Sequence, residues 1–260
     1  KKIYEKVTAK KEFSSLPRKD VEKIWKMFER REVSEIEKIR LTRDMLRKVY
    51  FAFGSLKLLN PSILDKKSPE EILKKHISTK ERLPSYEELY KRILGEYKGK
   101  YFTVIDLGAG INGLTYPLMK KIAGRGPGYI AVEAVGQLGN LVRDYAMKKG
   151  YEKYVMASDD SLFDLKKLKE LIKFKPRPRV VFLFKTLDSL EMVERDYSKK
   201  LLKEIVPLVE RVVVSFATRS LISRKEFKVK RYWFENFVKE NFKIVDDFEL
   251  GGEKYIVFCK

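Results

Sequence analysis

Two hydrophobic periodicities divide the chain near residue 98. Before it, apolar positions recur at helical spacing, as Val21, Ile24, Trp25 and Phe28 and then as Ile36, Ile39, Leu46 and Val49. Ser34-x-x-Glu37 heads the second stripe as a capping box, and Ser68-Pro69-Glu70-Glu71 opens another helix with Ser68 as N-cap. From Tyr101 onward, short apolar runs alternate with helical stretches. The pattern predicts strands at 102–107, 129–133, 153–157, 179–185 and 211–216, with helices near 114–123, 136–149, 163–174, 190–205 and 231–241. Two last strands, 243–249 and 253–259, meet at Gly251-Gly252 as a hairpin. Alternating strands and helices build a parallel sheet covered on both faces. The expected architecture is therefore a helical domain over 1–98, then an α/β domain over 99–260 whose seven-stranded, mostly parallel sheet ends in an antiparallel hairpin.

The richest stretch is Thr103-Val104-Ile105-Asp106-Leu107-Gly108-Ala109-Gly110-Ile111-Asn112-Gly113-Leu114. A strand feeds a glycine turn that opens a helix, so backbone amides without helical partners face whatever lies above the turn. The spacing Gly108-x-Gly110-x-x-Gly113 matches the dinucleotide fingerprint. Asp106 argues against a dinucleotide, because a carboxylate two residues before the first glycine would repel a pyrophosphate. S-adenosylmethionine has no phosphate and carries an ammonium and a sulfonium, which an acid attracts. The reading is a methyl-donor site in a class I Rossmann-like methyltransferase, with a dinucleotide site or an unliganded glycine turn as alternatives.

Ligands of such sheets bind at the carboxyl ends of the strands. Glu133, which ends the second strand, is placed to accept both ribose hydroxyls, or else to serve as a helix N-terminal acid. Asp159 or Asp160, after the third strand, is expected to accept from the adenine amino group, the other being a solvated turn residue.

Charge adds a partner. The 57 Lys and Arg stand against 37 acids among 260 residues, a formal net charge of +20, which points to a polyanion. Residues 1–60 alone hold 17 basic residues against 9 acids, so the faces away from the apolar stripes are basic. Trp25, Phe28, Tyr50 and Phe53 are expected in the core of this bundle rather than as base-stacking platforms. The single cysteine, Cys259, excludes an internal disulfide and a cysteine zinc cluster, and one histidine leaves little scope for a metal site. No apolar run is long enough to span a bilayer. A cytoplasmic protein without membrane or metal is expected.

Three further stretches carry a family resemblance: His76-Ile77-Ser78-Thr79-Lys80-Glu81-Arg82-Leu83-Pro84, Phe184-Lys185-Thr186-Leu187-Asp188-Ser189-Leu190-Glu191 and Ser215-Phe216-Ala217-Thr218-Arg219-Ser220-Leu221. Together with the glycine loop they resemble the signatures of the Arm/Rmt (FmrO-type) ribosomal RNA methyltransferases, known for aminoglycoside resistance. The resemblance covers about residues 70–225 and implies S-adenosylmethionine as donor, small-subunit rRNA within the ribosomal particle as acceptor, and N7 of a decoding-site guanine as target. Carried over, it implies that Arg82 pairs with the donor's methionine carboxylate, as a planar guanidinium does well, and that His76, Ser78 and Thr79 close over the donor beside Gly108 and Gly110. Ser78-x-x-Glu81 also reads as a capping box, and His76 as a packed histidine. Lys185 and Thr186 end the fourth strand, where the target base meets the methyl group. The following basic segment, with Arg219, Arg224, Lys225, Lys228, Lys230 and Arg231 against Glu226, is the expected contact with the RNA backbone.

One departure bears on chemistry. Where the family typically has Lys-Thr-Leu-Pro, this chain has Lys185-Thr186-Leu187-Asp188. Guanine N7 has a free lone pair and needs only positioning, whereas an exocyclic amine must lose a proton and profits from an acidic acceptor after the fourth strand. Asp188 therefore tilts the reading toward an amine such as cytosine N4, with guanine N7 as the alternative. The Lys- and Glu-rich composition fits a thermostable housekeeping relative. A non-catalytic, donor-binding assembly factor and a small-molecule or protein methyltransferase are the alternatives of other classes.

Overall fold

The computed structural model describes residues 2–218 and 231–260. Its frame is a seven-stranded sheet in the order β3-β2-β1-β4-β5-β7-β6. The strands are β1 (Thr103–Leu107), β2 (Gly128–Val132), β3 (Val155–Ser158), β4 (Arg179–Phe184), β5 (Arg211–Ala217), β6 (Lys243–Leu250) and β7 (Glu253–Cys259). All pairings are parallel except those of β7, which runs antiparallel to both β5 and β6. Every residue of β1, β2 and β4 is buried, as continuous Val, Ile and Phe runs demand of strands covered on both faces. The chain leaves β1 toward β2 on one side and reaches β4 on the other, so the order reverses beside β1 and a crevice opens at the carboxyl ends of β1 and β4.

Ahead of the sheet come α1 (Lys2–Thr8), α2 (Arg18–Lys26), α3 (Glu35–Tyr50), α4 (Ile63–Lys66), α5 (Pro69–Leu73), α6 (Ile77–Arg82) and α7 (Tyr86–Leu94). Ser68 and Glu71 form the full capping box of α5, whereas Ser34 caps α3 through the Glu37 amide alone while the Glu37 side chain turns to Arg40. Between and after the strands lie α8 (Tyr116–Ala123), α9 (Gly136–Lys149), α10 (Leu165–Phe174), α11 (Leu187–Val193), α12 (Tyr197–Ile205) and α13 (Tyr232–Asn241). The expected single helix over 190–205 is two, because Asp196 takes a left-handed backbone with φ 61° and turns the chain between α11 and α12.

Two apolar clusters sandwich the sheet. One holds Ile105, Leu107, Val181 and Leu183 against α10, α12 and α13. The other runs without interruption from Val7, Phe13, Val21 and Leu46 of the first helices to Val104, Tyr129 and Phe182 of the sheet. The change of periodicity near residue 98 is therefore a change of secondary structure, with the core continuous across it. This union brings α2 and α3 over the crevice. Of the four aromatics expected in a bundle core, Phe28 is buried and Trp25 half-buried, while Tyr50 and Phe53 line the cavity described below.

Candidate functional site

The glycine turn after β1 shapes the floor of a cavity. Gly108 and Gly110 have φ +73° and +53°, a left-handed backbone that glycine adopts without strain. A Cβ on Gly108 would meet Thr186 Oγ1 at 2.7 Å, and one on Gly110 would meet His76 Nε2 at 3.0 Å. The first two glycines thus admit the side chains of two predicted site residues. The third does different work: a Cβ on Gly113 would meet Val142 of α9 at 2.5 Å, so it serves helix packing.

Above this floor the ends of β1, β2 and β4 and helices α2, α3 and α6 line a pocket whose empty space, open mouth included, is about 850 Å³. The cavity wall contains His76, Ser78, Thr79, Arg82, Asp106, Gly108, Gly110, Glu133, Lys185 and Thr186. Residues read from four separate stretches of sequence therefore meet around one space.

At one end, charges are paired within the protein. Arg82 is buried; its Nε donates to the Glu253 carboxylate at 3.0 and 3.2 Å, its other nitrogens donate to Ser78 and to the Tyr86 hydroxyl, and it lies 4.8 Å from the Phe184 ring centroid. Lys185, with φ 56°, swings back from the end of β4 to bond Glu81 and to approach Glu253 at 3.4 Å. Glu253 also accepts from the Ser215 hydroxyl. Burial pushes the Glu253 carboxyl up, but Arg82 and Lys185 outweigh it and hold the carboxyl below its usual range. The α6 motif is tied down by Thr79, whose hydroxyl donates to the Leu73 and His76 carbonyls at 2.6 and 3.1 Å. His76 is buried with Nδ1 lacking a partner, and burial, reinforced by Arg82 and Lys185, pushes its pKa down to about 3. It is a neutral imidazole. Thr186 donates to the Leu107 carbonyl at 3.0 Å and so ties the end of β4 to β1.

At the other end, acceptors collect. Glu133 accepts from the amides of Gly110 at 2.7 Å and Val135 at 2.9 Å. Burial pushes its pKa up to about 7; those two amide hydrogen bonds oppose the rise, and Asp106 and Asp20 add to it. Asp106 accepts from Asn112 Nδ2 and from the Tyr129 hydroxyl, both at 2.7 Å, and burial raises its pKa against these bonds. Asn112 in turn accepts from Tyr86 at 2.7 Å. Asp106 therefore both faces the cavity and braces the glycine turn from within.

Several predicted residues stand elsewhere. Asp159 is exposed, and Asp160 is held by Lys167 and by the Ser158 hydroxyl; the wall after β3 is made by Leu162 and Phe163 instead. Asp188 lies in the first turn of α11 with its side chain 49% exposed, outside the cavity wall, and its carboxylate pairs with Arg231 at 2.6 Å. Arg219, Arg224, Lys225, Lys228 and Lys230 lie outside the described residues. Reading the sequence missed Glu253, Glu81, Asn112, Asp20 and Tyr50. Glu253 had a usable signal, an acid opening an otherwise apolar strand after Gly251-Gly252; Asp20 and Tyr50 had none. Among the described residues, no cluster of His, Cys, Asp and Glu could hold a metal ion, and no helix is long and apolar enough to cross a membrane.

Known proteins resemble this chain at both levels. A 16S rRNA (guanine(1405)-N(7))-methyltransferase of Proteus mirabilis is 26% identical over 194 residues, 73% of this chain and 64% of that protein. A protein of the same name from Micromonospora rosea is 28% identical over 189 residues, 71% and 63% of the two chains. These matches span less than two thirds of the relatives' own length. The crystal structure of the 16S rRNA methyltransferase RmtF, in complex with S-adenosyl-L-homocysteine, superposes with a TM-score of 0.79 at 21% identity, covering 100% of this chain and 97% of that one, so the fold is shared from the first helices to the hairpin. The profile of the family described as "Ribosomal RNA methyltransferase (FmrO)" matches residues 56–257, which span the glycine turn, the Arg82 motif, the end of β4 and Glu253 alike. The chain belongs to the FmrO family of ribosomal RNA methyltransferases.

Proposed function

We propose that this protein transfers a methyl group from S-adenosylmethionine to N7 of a guanine in small-subunit ribosomal RNA. The carrying observation is an acceptor-rich cavity: Asp106, Glu133 and Asp20 bring three buried carboxyl groups to the wall beside the glycine turn. The wall fits an adenosyl donor, since Glu133 keeps lone pairs for hydroxyl donors and Gly108 and Gly110 leave the floor without side chains. Glu133 would hold the ribose, Asp106 would face the cationic portion, and Arg82 with the α6 motif would meet the amino-acid portion. S-adenosylmethionine supplies an electrophilic methyl on a sulfonium.

The protein's part is orientation. Guanine N7 brings its own lone pair, so no side chain has to remove a proton. The cavity suits that demand: Lys185 is held between Glu81 and Glu253, His76 is neutral, and the carboxylate of Asp188 is engaged by Arg231 outside the wall. The expected lean toward cytosine N4 rested on Asp188 standing beside the methyl group. With that carboxylate turned away, and with relatives named for guanine N7, the amine reading gives way to N7. The net charge of +20 supports an RNA acceptor, and rRNA within the small subunit is the proposed partner.

The test is methyl transfer from radiolabelled donor to small subunits lacking the modification, followed by mass spectrometry of the nucleosides. 7-Methylguanosine is the expected product. Absence of transfer, or label in N4-methylcytidine, overturns the proposal.

A further inference from the structure

Asp20 belongs to α2, far in sequence from every motif discussed above, yet it lines the same cavity with 1% of its surface exposed. Its Oδ1 accepts from the Tyr50 hydroxyl of α3, another residue of the wall. Its Oδ2 has no hydrogen-bond partner. Burial raises the carboxyl's pKa; the Tyr50 hydroxyl opposes the rise, as does the Ser161 hydroxyl, which lies near the carboxyl but outside hydrogen-bonding geometry with Oδ2. A buried acceptor left unmatched is costly, so its place in the wall of a cavity calls for a partner, and a ligand that brings a donor supplies one.

The placement of α2 is specific. Lys19 pairs with Asp164 at 3.3 Å, and Lys23 pairs with Glu194 and lies 5.1 Å from the Phe163 ring centroid. The helix is thus fastened over the loop that follows β3, and Asp20 joins Leu162 and Phe163 in the wall there. Asp20 is also near enough to Glu133 to contribute to its raised pKa. In that part of the crevice the sheet's own candidates are committed elsewhere: Glu133 is suited to hydroxyl donors, and Asp160 is bound to Lys167.

We propose that Asp20 Oδ2 accepts a hydrogen bond from the exocyclic amino group of the donor's adenine. The N-terminal helices thereby complete the methyl-donor site from outside the sheet. The inference rests on the proposed donor chemistry and adds to it a binding residue from a separate part of the chain.

The test is calorimetry of S-adenosylhomocysteine binding to the full chain, with wild type, Asp20→Asn and Asp20→Ala, repeated with the N6,N6-dimethyladenine analogue and with the 2′-deoxy analogue. Asp20→Ala should weaken S-adenosylhomocysteine by about tenfold or more, and Asp20→Asn, which keeps an acceptor oxygen, should weaken it less. The dimethyl analogue should bind wild type more weakly by a similar factor and lose nothing further in Asp20→Ala, because the same hydrogen bond is already gone. Ligand ratios are compared within one variant, so a partly unfolded fraction cancels. Unchanged affinity in Asp20→Ala, or a loss shared equally by the parent ligand and the dimethyl analogue, overturns the proposal. So does a loss that only the 2′-deoxy analogue abolishes, which would assign Asp20 to the ribose. Failure of wild type to bind S-adenosylhomocysteine at all would instead overturn the donor reading itself.

Discussion

The two ends of the cavity are built on opposite principles. Around Arg82 and Lys185 each charge has an opposite within the protein: Glu253 serves both cations, Glu81 serves Lys185, and Ser78, Tyr86 and Ser215 take up further hydrogen bonds. Around Glu133, Asp106 and Asp20 there are three carboxyl groups, no cation contacts them in the described residues, and one oxygen has no partner. A fully satisfied buried network is rigid and specifies one geometry, whereas an excess of acceptors favours an occupant that brings donors. The first end holds the crevice in shape. On the proposed donor chemistry the second end selects an occupant, because its acceptors match a nucleoside's hydroxyls and amine.

The largest expected effect is at the paired end. Glu253→Ala leaves Arg82 buried without its counter-ion and should destabilise the fold by about 3–5 kcal/mol, read from urea unfolding. Adding Arg82→Met should recover part of that loss, since it removes the stranded charge. A cost below about 1 kcal/mol for Glu253→Ala would erase the contrast between the two ends. The same carboxyl makes a pH prediction. Its pKa lies below the usual value of 4.5, so the stabilisation is present above that value and is lost as acid carries the pH down through the lowered pKa.

At the acceptor-rich end the sign reverses. Glu133 has its pKa pushed up to about 7, so the unliganded protein is penalised progressively as pH rises from the ordinary value of 4.5 toward 7 and the carboxylate forms in the buried site. A ligand whose hydroxyls donate to the carboxylate relieves that penalty. Affinity for S-adenosylhomocysteine should therefore rise with pH up to about 7 and level off above it, with proton release on binding, both measured calorimetrically in buffers of different ionisation enthalpy. Glu133→Gln should flatten the profile and weaken binding by about tenfold at neutral pH. A profile as steep in Glu133→Gln as in wild type would remove Glu133 from the donor site.

The smallest effect is expected outside the cavity. Asp188 is half exposed and pairs with Arg231 on the surface, so Asp188→Ala should change stability by less than about 1 kcal/mol and leave donor affinity intact. Asp188→Pro should be tolerated as well, because the first turn of a helix accepts proline. Single-turnover methylation of small subunits by both variants sharpens the comparison. A loss of about a hundredfold with donor affinity unchanged would return Asp188 to the chemistry and revive the amine target.

Sequence alone determined what local pattern can carry. The strands and helices, the hairpin at Gly251-Gly252, the glycine turn, and the places of Asp106 and Glu133 in the crevice followed from periodicity, glycine spacing and strand ends, all properties of a few consecutive residues, whereas Arg82, Lys185 and Thr186 were reached through the family resemblance. Which charged groups meet across the fold was decided only in three dimensions. Arg82 finds Glu253 at a separation of 171 residues, and Tyr50 finds Asp20 at 30, because α6, β7, α2 and α3 are packed together by an apolar core that records burial but not the partner of each buried charge. Asp160 follows β3 and Asp188 lies in the first turn of α11, and the carboxylate of each is paired with a cation outside the cavity wall. Each sits where the chain enters a turn or a helix, and there a rotation of one residue decides whether a carboxylate faces a ligand or a lysine or arginine at the surface.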